Sequence, residues 1–87
     1  MSQSVEQRLV LHNRHTTAIH LWIEPWGDRI AMLPDTSLHV IGTGPAGHVL
    51  EVEFRDGGYA IYGWSGSVIT LLDASGKPTW HTSIPSP

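Results

Sequence analysis

The chain has 87 residues, of which 40% are apolar and 15% are charged, a balance that excludes an intrinsically disordered protein. The length predicts one domain over residues 1–87, and the lack of cysteine excludes disulfides and cysteine-based zinc sites. With a net charge of −3, no nucleic-acid partner is expected, because such partners require a basic surface.

Membrane and secretion signals are the next classes to consider. No apolar run approaches the ~20 residues that a membrane-spanning helix needs. Residues 1–7 have neither the basic start nor the apolar stretch of a secretion signal. We therefore expect a cytoplasmic protein with no membrane partner.

Apolar and polar residues alternate in short runs along the chain, which is the period of a β-strand. Segments rich in Gly, Pro, Asn and Asp separate the runs and are typical of turns. This spacing predicts an all-β fold of seven to eight short antiparallel strands. In chain order, the runs lie at residues 8–12, 18–24, 29–33, 37–41, 48–55, 59–64, 68–72 and 79–84.

The predicted fold is a small antiparallel β-sandwich or a partly open barrel. In general architecture it is similar to immunoglobulin-like and cupredoxin-like sandwiches. The chain lacks the two cysteines of antibody domains and the cysteine ligand of blue-copper sites, so this similarity implies no function. Residues 85–87 should fray, because proline cannot donate a hydrogen bond to a strand.

The first hairpin is predicted to turn at residues 25–28, which pairs Glu24 with Arg29. Alternation then separates the two faces of the hairpin. The apolar face consists of Leu21, Ile23, Ile30 and Met32. The opposite face carries His20, Trp22, Glu24 and Arg29.

The second hairpin is predicted to turn within residues 56–58. A two-residue type I′ turn at Asp-Gly pairs Phe54 with Tyr59, and one at Gly-Gly pairs Phe54 with Ile61. Both registers leave the faces unchanged, because they differ by two residues. One face carries Leu50, Val52, Phe54, Tyr59 and Ile61. The other carries Glu51, Glu53, Arg55, Ala60, Tyr62 and Trp64.

These faces define an expected core. Replacement of its member Phe54 by alanine is expected to cost about 3–5 kcal/mol, much of the stability of a domain this small. The core is predicted to contain Leu21, Ile23, Ile30, Leu38, Val40, Leu50, Val52, Phe54, Ile61 and Leu71.

Two glycine-containing segments resemble functional motifs. Gly42–Gly47 matches the G-x-G-x-x-G pattern of dinucleotide sites, and Gly63–Ser67 approaches the G-x-S-x-G nucleophile elbow. Both motifs require a helix to follow, whereas strand-like alternation follows both segments here. We therefore interpret them as connections between strands.

Histidines and carboxylates offer no stronger signal for catalysis. None of the six histidines forms the H-x-H pair that places two metal ligands on one strand face, although His12 and His15 lie close together. Glu51 and Glu53 are ~7 Å apart on one face, a spacing known from inverting glycosidases, but a chain this short has little material for a cleft. We predict no enzyme, no cofactor and no metal site.

Aromatic residues on the faces away from the core are the most informative feature, because large exposed rings with a polar rim indicate a recognition surface. The first candidate binding site is Trp64, Tyr62, Glu51 and Glu53. The second is the polar face of the first hairpin, with His20, Trp22, Glu24 and Arg29. The alternative for Trp64 is burial beneath a loop such as residues 42–47.

The predicted function is therefore a non-catalytic interaction module. Its partner would be another protein, as for an inhibitor or immunity protein, or a second copy of the chain, and a homodimer is favoured. The alternative is a carbohydrate-binding module in which Trp64 and Tyr62 stack on sugars. A third hypothesis is a metal-binding protein that uses the histidines.

Overall fold

The computed structural model describes residues 3–82 and 84–87, and in this part of the chain there are eight strands and no helix. The strands form two four-stranded sheets, in the order β1-β4-β7-β8 and β3-β2-β6-β5. The predicted all-β sandwich is confirmed. The strands are β1 (Ser4–Asn13), β2 (Ile19–Glu24), β3 (Asp28–Met32), β4 (Thr36–Pro45), β5 (Glu51–Arg55), β6 (Gly58–Tyr62), β7 (Val68–Leu72) and β8 (Pro78–His81).

One strand pair departs from the predicted antiparallel pattern. β2 and β6 run parallel, with Trp22 beside Ala60 and Glu24 beside Tyr62. Parallel neighbours need a long connection, and here the chain leaves β2 through β3, crosses to β4 in the other sheet and returns through β5. As a result, the two predicted hairpins lie side by side in one sheet.

The core fills the space between the two sheets. Five of the predicted core residues are fully buried, namely Leu21, Ile23, Val40, Ile61 and Leu71. Three more, Ile30, Leu38 and Leu50, are half-buried at its margin. The predicted interior is therefore confirmed for the central strands.

The predicted burial of Val52 and Phe54 is wrong, because their side chains are 36% and 77% exposed. Both residues lie on the predicted face, with Phe54 paired to Tyr59. However, β5 is the edge strand of its sheet. An edge strand has a neighbour on one side only, so the side chains of β5 are flanked by β6 alone within the sheet.

The predicted register of the first hairpin is also wrong by one residue in each strand. Ile23 pairs with Asp28 and Trp22 with Arg29, whereas Glu24, the last residue of β2, has no partner in β3. Gly27 closes that loop at φ +82° and donates its N–H to the carbonyl of Ile23 over 2.8 Å. This positive φ suits glycine, so the turn ends one residue earlier than predicted, and the faces are preserved.

The second hairpin adopts the first of the two predicted registers, with Phe54 opposite Tyr59. The turn is not type I′, because Gly57 has φ +84° and Asp56 does not have a positive φ. The next position, 58, also requires glycine, because an added Cβ would overlap the backbone of His20 in the parallel neighbour β2. The β5–β6 register is therefore set both by the turn at Gly57 and by the close approach of β2 to Gly58.

The sequence predicts that residues 85–87 fray, but in the structure Ser86 is fixed by backbone hydrogen bonds. Ser86 is buried, its N–H donates to the carbonyl of Ser67, and its carbonyl accepts from Gly66, both over 2.9 Å. The prolines on either side need no donor here, because Ser86 makes both backbone bonds. The tail thus pairs with the loop between β6 and β7.

Candidate recognition face

The two candidate sites predicted from sequence form one continuous surface, with the exception of Trp64. Because β2 and β6 are neighbours, the outward residues of the four strands align in rows, such as Arg29, Trp22, Ala60 and Glu53. We call this surface the Trp22 face. It is formed by the outward residues His20, Trp22, Glu24, Arg29, Ala31, Glu51, Glu53, Arg55, Ala60 and Tyr62.

A small residue lies at the middle of this face. Ala60 is fully buried although it points away from the core. Its neighbours in the same row are Trp22 on β2 and Glu53 on β5. The larger side chains around it therefore cover its methyl group, and the centre of the face is a packed aromatic and polar layer.

Glu53, Arg55 and Tyr62 form a hydrogen-bonded triad on the Trp22 face. The Nε of Arg55 donates to Glu53 Oε1 over 3.0 Å, and its Nη2 donates to the Tyr62 hydroxyl oxygen over 2.7 Å. The Tyr62 hydroxyl donates to the same Glu53 oxygen over 3.1 Å. These donors hold the pKa of the Glu53 carboxyl below its ordinary value, with Arg55 as the larger cause.

The guanidinium of Arg55 also covers both aromatic rings of the face. Its central carbon lies 5.5 Å from the ring centroid of Trp22 and 5.9 Å from that of Tyr62. The ring of His20 packs against Trp22 at a tilt of 52°, with centroids 5.7 Å apart. Cation–π contacts of this kind fix the rings and the charge together, so the face presents an ordered aromatic and cationic surface.

The predicted exposure of Trp64 is wrong, because its side chain is only 6% exposed. β6 ends at Tyr62, so the alternation that places Tyr62 outward does not continue to residue 64. The indole packs against Gly42, where an added Cβ would be 2.8 Å from the ring, and its Nε1 donates to the carbonyl of Pro45 over 2.8 Å. The alternative of burial under the 42–47 segment is therefore the observed one.

The other two tryptophans also support the fold. Trp26 and Trp80 pack against the core, and the Nε1 of Trp26 donates to the carbonyl of Ile84 over 2.8 Å. Trp22, the remaining one of the four tryptophans, lies on the outer face of its sheet. The aromatic candidates thus reduce to Trp22 and Tyr62.

The interpretation of the two glycine-containing segments as connections is correct for Gly63–Ser67, which joins β6 to β7, but wrong for most of Gly42–Gly47. Gly42 and Gly44 belong to β4, and β5 rather than a helix follows the loop after them. An added Cβ at Gly44 would lie 2.7 Å from the Cα of Ser67. Ser67 is buried, and its hydroxyl oxygen accepts the N–H of Trp64 over 2.8 Å. These residues therefore pack the loop that carries Trp64.

Two clefts lie near the candidate residues. One of about 450 Å³ borders the Trp22 face between Glu51, Tyr62 and the loop at His48. A larger one, of about 590 Å³, opens between β3 and β8 over Ile30 and Trp80. The first cleft lies beside β5 and β6, whereas the second lies at the β3 edge of the same sheet, where Ala31 contributes to its lining.

Two further findings concern metals and membranes. Within residues 3–82 and 84–87, no three His, Cys, Asp or Glu residues come close enough together to hold a metal ion. The Nδ1 of His12 forms a hydrogen bond with the Ser37 hydroxyl over 2.6 Å. The described part of the chain also has no helix that is long and apolar enough to cross a membrane.

Comparisons with known proteins identify no relative of this chain. The chain matches no protein-family model, and no curated protein or solved structure is significantly similar to it. The functional argument therefore depends on the chemistry of the surface.

Proposed function

We propose that the protein is a non-catalytic interaction module that recognises a protein partner through the Trp22 face. The observation that carries the proposal is the triad of Glu53, Arg55 and Tyr62 packed over Trp22. Tryptophan, tyrosine and arginine are the residues most enriched at the energetic centres of protein interfaces. Here Arg55 contacts both Trp22 and Tyr62 on one sheet face.

The order of this centre supports binding. A flexible arginine loses rotamer freedom when a partner immobilises it, at a cost of about 0.5–1.5 kcal/mol for such a side chain. Arg55 is already held by Glu53 and Tyr62 before any partner arrives. Much of that ordering cost is therefore met within the free protein, and a partner gains the aromatic and charged contacts at a lower entropic cost.

The charges around the centre indicate a polar rim. Glu24, Glu51 and Arg29 surround Trp22 and Tyr62 on the same face. Charges at a rim contribute more to the association rate and to selectivity than to affinity. The cleft of about 450 Å³ beside Tyr62 offers a pocket for one side chain of the partner.

Carbohydrate binding is a second candidate, because Trp22 and Tyr62 lie near each other on an open sheet face with hydroxyl-binding groups around them. Arg55 argues against it, since its guanidinium lies over both rings where a sugar would stack. A glycan array distinguishes the two hypotheses. Binding of a glycan by the parent, lost in Trp22→Ala, would replace the protein-partner proposal.

The proposal is tested by affinity capture from the source cells with three forms of the protein. The parent should retain a specific protein that Trp22→Ala does not retain, because the substitution removes the ring at the centre of the face. Val10→Ala, on the outer face of the other sheet, should retain it as the parent does. The captured protein is then purified and its affinity for each form is measured.

A loss of at least tenfold in affinity for Trp22→Ala, with Val10→Ala unchanged, supports the proposal. Circular dichroism of each variant confirms that the fold is intact. Equal binding by the parent and a folded Trp22→Ala variant would show that this face is not the binding surface.

A further inference from the structure

We infer that the free edge of β5 pairs with β5 of a second copy, which makes the protein a homodimer with one continuous eight-stranded sheet. The inference concerns the edge of the sheet and does not depend on the proposed role of the Trp22 face.

The first observation behind the inference is an exposed apolar surface along β5. Phe54 is 77% exposed, Val52 is 36% exposed and Val49 is 63% exposed, all on or beside this edge.

The backbone of β5 has hydrogen-bonding groups that point away from its sheet. At the two ends of β6, the carbonyl of Gly57 accepts from the N–H of His20 and the N–H of Gly63 donates to the carbonyl of Glu24, both on β2. Backbone groups of a strand alternate in direction, so Gly58, Ala60 and Tyr62 bond to β5. Their partners are Arg55, Glu53 and Glu51. The groups of Val52 and Phe54 therefore face outward.

Just before β5, the same edge of the chain is already hydrogen-bonded to a side chain of β1. The side-chain amide of Gln7, on β1, donates to the carbonyl of His48 over 2.6 Å and accepts from the N–H of Leu50 over 2.7 Å. Gln7 thus takes the place of a neighbouring strand at residues 48 and 50. The edge available to a second copy begins at Val52.

Charge complementarity selects a second copy as the occupant. In an antiparallel pair with Phe54 opposite Phe54 of the second copy, Glu53 lies opposite Arg55 twice, once on each side of the two-fold axis. Opposite charges directly across a strand pair are stabilising and like charges are destabilising. No like charges meet in this register, and the partner strand stays clear of Gln7.

The apolar side of the same register is equally self-complementary. Phe54 already packs against Tyr59, with ring centroids 5.8 Å apart. Two copies related by the axis would place four rings in a row, Tyr59 and Phe54 from each. Val52 is a diagonal neighbour of the opposite Phe54, within reach of a large side chain.

Shifting the register by one residue in each strand gives a less favourable pair. It places Glu53 directly opposite Glu53 of the second copy, although Glu51 then faces Arg55. The two registers predict different effects of exchanging the charges, so one set of variants tests the dimer and its register together.

The test is sedimentation equilibrium of the purified full chain up to about 1 mM. The parent should form a dimer, and Phe54→Asp should raise its dissociation constant at least tenfold, because two carboxylates then meet on the axis. Val10→Asp is the matched control, because Val10 is an exposed apolar residue of β1, an edge strand of the other sheet. It should dimerise as the parent does.

The charge variants test the register. E53R and R55E should each be monomeric, because like charges then face each other across the axis. An equimolar mixture of the two should associate, and the double variant E53R/R55E should dimerise again. Circular dichroism confirms that every variant is folded.

Three results would overturn the inference. They are a parent that is monomeric at about 1 mM, a dimer that Phe54→Asp leaves intact, and a double variant that stays monomeric while both single variants are folded. A failure here leaves partner capture by the Trp22 face unaffected, because Trp22→Ala does not alter the edge of β5.

Discussion

Trp64 is a large buried side chain held by close packing and by a hydrogen bond. Its ring lies over Gly42, where a side chain would collide with it, and its indole N–H is satisfied by Pro45. Gly63 and Gly44 make similar room for Trp26 and for the backbone of Ser67. Glycines next to bulky groups thus explain how the chain accommodates Trp64 and Trp26.

Trp64→Ala should reduce the free energy of unfolding by about 3–5 kcal/mol, because it leaves a cavity beneath the ring. Urea denaturation followed by circular dichroism measures the change. Trp22→Ala is the control, since Trp22 is only half-buried on the outer face, and its loss should be clearly smaller. Equal losses for the two variants would contradict the assignment of Trp64 to the core.

Tyr62 affects the ionisation of Glu53. Its hydroxyl donates to the Glu53 carboxylate and thereby lowers the pKa of that carboxyl, in addition to the effect of Arg55. A folded pKa below the unfolded value means that the stabilisation is present above the unfolded pKa and is lost as the pH falls through the folded pKa. The triad should therefore weaken only in acid.

Tyr62→Phe should raise the pKa of Glu53 toward its ordinary value, because the carboxylate loses a donor. Carboxyl-carbon NMR titration measures this pKa directly. Tyr59→Phe changes the same atom in the neighbouring tyrosine on the inner face and should leave the titration unaltered. A Glu53 titration that is the same in both variants would show that the Tyr62 hydroxyl does not act on it.

At the scale of elements, β5 is the strand on which prediction and structure differ most. Its alternation correctly places Val52 and Phe54 on the inner face, because side-chain direction follows from local sequence. Its position at the edge of the sheet depends on which distant strands pair, and periodicity carries no information on that. The same limit explains why the parallel pairing of β2 and β6 was not predicted.

Phe54→Ala should change the free energy of unfolding of the dilute monomer by no more than about 0.5 kcal/mol, as expected for an exposed side chain. The buried-core prediction from sequence required about 3–5 kcal/mol. Thermal or urea denaturation at low protein concentration separates the two values. A loss above about 2 kcal/mol would mean that the ring is covered within its own chain.

Strand ends set a second limit on prediction. Alternation within β6 places Tyr62 on the outer face, and extending it by two residues places Trp64 there as well. The strand ends at Tyr62, however, and the hydrogen bonds between Trp64 and Ser67 turn the chain inward. Alternation therefore placed seven of the eight predicted site residues correctly, all except Trp64. The role of Arg55 was missed because it depends on contacts between strands.

At the scale of the whole molecule, the two outer faces of the sandwich differ in composition. The outward positions of β1, β4 and β7 include Arg8, Ile41 and Thr70 in one row and Val10, His39 and Leu72 in another. They hold no tryptophan or tyrosine. The Trp22 face concentrates the aromatic and arginine residues on the opposite sheet, and this asymmetry is the basis of the proposed function.

The most direct test of this account replaces Ala31 with the photo-crosslinking residue benzoylphenylalanine, and Val10 in a second variant, in the source cells. Position 31 is exposed on the Trp22 face outside the triad, and position 10 lies on the other sheet. The account predicts a covalent adduct with a foreign protein from position 31 and none from position 10. Adducts from position 10 alone, or the same adduct from both, would contradict it.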